Sequence, residues 1–130
     1  MTASQLDTDR EILALCDRVR QTAFELHKFL RHGFLESVYE NGLAYRLRKM
    51  GLHVETQCAM TVADEDGTVL GEYYADLVVE RILIVELKAC RHLVDEHMAQ
   101  VFGYVRASGK RHAMLINFGS PVLELKKLVL

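Results

Sequence analysis

The chain has 130 residues, half of them apolar, which suits one compact domain with one core and leaves no room for a second. Sixteen basic against 18 acidic residues give a formal charge of −2, which excludes a binder driven by bulk positive charge. Three cysteines without a CxxC pair exclude a disulfide framework and a cysteine zinc site, and no apolar run approaches the ~20 residues of a membrane span.

The polar, acidic stretch from Met1 to Asp9 lacks the basic-then-apolar order of a signal peptide, so a cytoplasmic location is expected, with residues 1–8 flexible. Thr8-Asp9-Arg10-Glu11 matches a capping box and predicts the start of a first helix. Ile12, Leu15, Cys16, Val19, Ala23, Leu26 and Leu30 then recur at helical spacing, and His32-Gly33 ends the run. A second helix is expected from about Leu35 to Met50, with Val38, Leu43, Leu47 and Met50 inward and Gly51 as its cap. Gly42 inside it lowers helix propensity, which suggests close packing at that point.

From Leu52 the period changes to two. Leu52, Val54, Thr56, Cys58, Met60 and Val62 alternate with polar residues and predict a half-exposed strand with those six on one face. Asp66-Gly67 is a hairpin signal. Strands over 68–79 and 82–90 follow, apolar on both faces as central strands are. Asp95 is a candidate N-cap for a third helix to Ser108, closed by Gly109. Strands over 112–118 and 122–130 complete the order α-α-β-β-β-α-β-β, for which a mixed sheet with helices packed on it is the economical architecture.

Chemistry concentrates in Ile82-Leu83-Ile84-Val85-Glu86-Leu87-Lys88-Ala89, where alternation puts Glu86 and Lys88 on one face of a central strand. Charges buried there are costly unless they are paired or bind a metal. The neighbouring strand offers Asp76. If the turn is centred on Arg81 and Val79 faces Leu83, Asp76 lies opposite Glu86, and a slip of one residue would send it to the other face. Two carboxylates converging in this way could share one cation, and Mg²⁺ suits them because it prefers oxygen ligands and keeps several waters. An inactive buried ion pair would satisfy the same charges.

Asp76, nine residues, Glu86, one residue, Lys88 resembles the core signature of the PD-(D/E)XK nuclease superfamily, with Ala75 in place of the signature's proline. Gly33-Phe34-Leu35-Glu36-Ser37-Val38-Tyr39 is similar to the motif that names the GxxExxY branch of that superfamily, and Leu115-Ile116-Asn117-Phe118-Gly119 is also similar to it. The resemblance covers about residues 12–130. It implies a restriction-endonuclease-like α/β core, α-β-β-β-α-β, with a mixed central sheet flanked by helices. It implies a nuclease hydrolysing nucleic-acid phosphodiesters with Mg²⁺ or Mn²⁺. Asp76 and Glu86 would be metal ligands, and Glu36 a third, direct or through water. Lys88 would position water or stabilise charge. Gln100 and Tyr104 lie four residues apart on one helical face; Gln100 would orient Lys88 or contact the backbone phosphate, and Tyr104 would contact the phosphate.

Charge distribution adds Lys110 and Arg111 as nucleic-acid contacts. Residues 105–130 carry a net +4, against −6 for the remainder. An ordinary solvated face accounts for the same asymmetry. His92 and His97 have no recognised ligand spacing and read as solvated or capping residues, while Cys16 and Cys58 read as small core residues and Cys90 as packing. Tyr39 reads as core rather than catalytic. The expected partner is DNA or RNA, with no membrane, and the shortness of the chain is compatible with a homodimer that builds a larger groove. The alternative function is a catalytically silent nucleic-acid- or protein-binding module that kept the fold.

Overall fold

A computed structural model describes the backbone of residues 3–130 and the side chains of residues 8–130. Two helices, α1 (Ala3–Leu30) and α2 (Glu36–Lys49), precede three strands, β1 (Val54–Ala63), β2 (Val69–Val79) and β3 (Leu83–Lys88). Helix α3 (Asp95–Ser108) then leads to β4 (His112–Asn117) and β5 (Glu124–Val129). The five strands lie side by side in chain order, all antiparallel except β3 and β4, which run parallel because α3 carries the chain back across the sheet. The mixed sheet expected from the element order is therefore the one formed.

Helices cover both faces. On one, Val19 and Ala23 of α1 and Leu43 and Leu47 of α2 pack with Leu77, Val85, Leu87 and Ile116. On the other, Val101 and Val105 of α3 pack with Ile84, Ala113 and Leu115. This two-sided burial is why β3 and β4 read as nearly unbroken apolar runs. The α1–α2 contact explains Gly42: a Cβ there would stand 3.0 Å from Leu26 Cδ1, so the missing side chain lets the helices approach.

Several boundaries depart from expectation. The first helix begins at Ala3, upstream of the Thr8-Asp9-Arg10-Glu11 box, so Thr8 is an interior helical residue rather than its cap. The flexibility expected of residues 1–8 falls mostly on side chains outside the described residues. Val38 and Met50 are 38% and 42% exposed, and Tyr39, fully buried, takes the inward position instead. The Tyr39 ring stacks on Phe118 at 4.8 Å, and its hydroxyl donates to Arg31 O at 2.5 Å and accepts from Phe34 N–H at 3.2 Å. Asp95 is the first residue of α3 and not its cap; His97 Nδ1 accepts the Val94 N–H at 3.1 Å and closes that end, the capping role expected of a histidine here.

The β1–β2 hairpin is longer than its neighbours and projects as an arm. Its strands pair from Val54↔Val79 out to Ala63↔Val69, whereas β2 and β3 pair only over 77–79 and 83–85. The arm ends in the expected turn, with Gly67 at φ 89° and an Asp64 N–H to Thr68 O bond of 2.8 Å. No described helix is long and apolar enough to cross a membrane.

Candidate functional site

The turn from β2 into β3 passes through Glu80 and Arg81, both at positive φ (51° and 62°), the backbone signs that primed hairpin turns need. It sets Val79 opposite Leu83 and Leu77 opposite Val85, the register that alternation required for Asp76 to meet Glu86. The ladder stops one step short of that pair, and the strands part. At the fork Asp76 Oδ2 accepts the Leu87 N–H at 2.8 Å, so a side chain takes over the rung that the backbone gives up.

The partner strand β1 stays continuous and in register here but is irregular at the same level. Gln57 of β1 has φ 48°, a left-handed conformation rare outside glycine and asparagine, and pairing skips from Thr56↔Leu77 to Cys58↔Ala75. Core membership switches with it. Val54 and Leu77 pack on the α1–α2 side, but Cys58, Met60, Tyr73 and Ala75 pack on the α3 side. The single apolar face expected for β1 is thus divided in two, on either side of the left-handed Gln57. Asp76 sits at the switch, opposite Gln57.

Glu86, 7% exposed, faces α3 from the end of β3, and its Oε1 has no hydrogen-bond partner among the described residues. Burial, and then the nearby Asp76 carboxylate, push its pKa up to about 9, with Lys88 opposing. Glu36 at the start of α2 is also raised, first by partial burial and then by Asp76, while Lys88 lowers it. One helical turn on, Glu40 is raised by burial and by Asp76 and Glu36, with a hydrogen bond from Gln57 acting against them. Lys88 is half-buried and makes no ion pair within 4 Å among the described residues. Asp76, Glu86, Glu36 and Lys88 therefore share one electrostatic neighbourhood.

No three His, Cys, Asp or Glu side chains of the described residues converge as a ready-made metal cluster. What the fork offers is two carboxylates, one with an orphaned buried oxygen. That donor set fits a hard divalent cation, which needs only one or two protein carboxylates and brings its own waters. It does not fit zinc, since no histidine or cysteine joins the group.

The remaining predicted residues divide. Tyr104 stacks on Tyr73 of β2 with ring centroids 3.8 Å apart, and burial followed by Glu86 raises both phenols. Gln100 is exposed, forms no side-chain hydrogen bond among the described residues, and lines a hollow of about 580 Å³ with Tyr104, Arg106 and Thr61. Lys110 and Arg111 line a different hollow of about 400 Å³ with Ile12, Ile82 and His112, at the other end of the β3–β4 pair. Leu115 lies beside Glu86, so Lys110, five residues earlier, is roughly 16 Å away along the strand.

Sequence reasoning missed Glu40, Gln57 and Asn117. Asn117 is fully buried and fixes the segment after Lys88, accepting the Cys90 N–H at 3.0 Å and donating to Cys90 O at 2.9 Å. Gly119 lies against the same segment: a Cβ there would collide with the Ala89 carbonyl carbon and with Cys90 N and O. For Glu40 a signal existed, its i, i+4 spacing from Glu36. Gln57 gave none.

The fork thus brings two carboxylates and a lysine together at the end of a mixed sheet. The sequence profile of the PD-(D/E)XK nuclease superfamily matches residues 14–128, and the chain belongs to that superfamily. The crystal structure of SSO0001 is similar, with a TM-score of 0.59 and 16% identity over 72% of this chain, a likeness of fold alone. The chain spans about half of that protein's length, the aligned part being 50% of it. No curated protein matches the sequence.

Proposed function

We propose that this protein is a divalent-metal-dependent nuclease of the GxxExxY branch that hydrolyses phosphodiester bonds at the β2–β3 fork. The observation that carries the reading is the buried Glu86 carboxyl, whose Oε1 has no partner among the described residues, set beside Asp76 and two residues from Lys88. Asp76 and Glu86 would hold Mg²⁺ or Mn²⁺, with Glu36 reaching it from α2 directly or through water. The bound ion would neutralise charge on the phosphate and acidify a water. Lys88, with no competing ion pair among the described residues, would hold the attacking oxygen or the charge that develops on the phosphate. Tyr104 and Gln100 would face the phosphate backbone from α3. A cytoplasmic protein, acting alone or as a homodimer, fits this reading.

The test is cleavage of labelled single- and double-stranded DNA and RNA with Mg²⁺, Mn²⁺ or EDTA. Wild type is expected to cut only with metal, and Glu86→Ala and Lys88→Ala, each shown to be folded, to lose at least about a hundredfold of that activity. Cutting that survives both substitutions would sink the proposal. The second reading, a silent binding module, draws on the lack of a preassembled three-ligand cluster among the described residues. Retained binding of nucleic acid without any cutting would select it.

A further inference from the structure

We propose that Gln57 is a positioning residue: its amide straps Glu40 of α2 to Asp76 of β2 and so fixes the Asp76 carboxylate at the fork. Gln57 Nε2 donates to Glu40 Oε1 at 2.6 Å and, more weakly, to Asp76 Oδ1 at 3.4 Å. The other oxygen of Asp76 accepts the Leu87 N–H at 2.8 Å. Both carboxylate oxygens are therefore directed by donors from the two flanking strands, and the side chain has one orientation.

Backbone conformation supports a role beyond packing. At φ 48°, glycine or asparagine would be the comfortable residue, and glutamine is strained. Gln57 is also exposed, so core burial does not account for the strain. What glutamine provides is reach and two N–H donors without charge. A lysine at this point would neutralise the carboxylates it joins. An amide holds them together and leaves their negative charge available to a cation.

What the oriented Asp76 is for rests on the metal-dependent reading above; the strap itself does not. The experiment uses the full chain as wild type, Gln57→Gly and Glu40→Gln. Gln57→Gly removes the amide while suiting the left-handed backbone, so its melting temperature is expected to hold or rise. Its affinity for Mn²⁺, titrated by calorimetry, is expected to fall by about tenfold or more. In metal-free protein the Gln57 side-chain amide resonances are expected to move in Glu40→Gln. An affinity for Mn²⁺ within about twofold of wild type in Gln57→Gly would overturn the positioning role. Amide resonances indifferent to Glu40→Gln would overturn the strap. If wild type binds no Mn²⁺, the metal reading falls instead, and the resonances alone decide the strap.

Discussion

A carboxyl group buried at the end of a central strand is an expensive residue, and Glu86 makes the metal-free protein sensitive to pH. With its pKa near 9 in the fold and 4.5 in the open chain, Glu86 keeps a proton on folding that the unfolded state releases. Its contribution is fully present below the unfolded value and is lost as pH rises from about 5 towards 9. Glu86→Gln keeps the shape without the ionisation. Urea unfolding at pH 8 without metal should show it more stable than wild type by roughly 1–3 kcal/mol, with the gap closing at pH 5. Added Mn²⁺ should stabilise wild type at pH 8 and not the variant. Asp76, Glu86 and Lys88 were legible in the sequence because charges on an apolar strand stand out against a period of two. Gln57 was not, since a glutamine in a polar-facing strand position looks ordinary until its backbone angle is known.

At the scale of elements, α2 has no side-chain cap at Leu35, and Tyr39 does the anchoring from inside the first turn and a half. Its hydroxyl serves two backbone groups of the α1–α2 loop, Arg31 O and Phe34 N–H, while its ring rests on Phe118. Tyr39→Phe keeps the stacking and orphans both partners. It is expected to cost about 1–2 kcal/mol in urea unfolding and to lower cleavage as well, because Glu36 begins the helix that the loop delivers. Helical periodicity alone could not choose between adjacent Val38 and Tyr39. The choice depends on Phe118, 79 residues further on. Strand limits were legible to within two residues because apolar runs end at polar or glycine positions. The start of α1 was misplaced by five, since a capping-box sequence can also lie within a helix. The switch of core side within β1 was invisible for the same reason as Gln57.

Over the whole molecule, element order and the two-faced burial of β3 were enough to anticipate a mixed sheet. The parallel β3–β4 pair follows from the helix between them. The distance between the basic end and the carboxylates was not readable, because it depends on which end of β4 lies beside Glu86. Lys110 and Arg111 stand roughly 13–16 Å from that level, so a polynucleotide touching both that end and the carboxylates must run along the sheet. Replacing both by alanine should weaken polynucleotide binding severalfold and reduce the slope of log affinity against log salt by about 1–2, measured by filter binding. An unchanged slope would remove this end from the path of the nucleic acid. The seam at Gly119 carries a practical consequence. Where backbone meets backbone with no space for a methyl group, the Lys88 end of the sheet admits neither a label nor an inserted loop. The exposed tip of the arm, residues 64–68, is built from a local turn that touches no core cluster. Small dyes and affinity tags belong there, where the fold tolerates additions that the Gly119 seam does not.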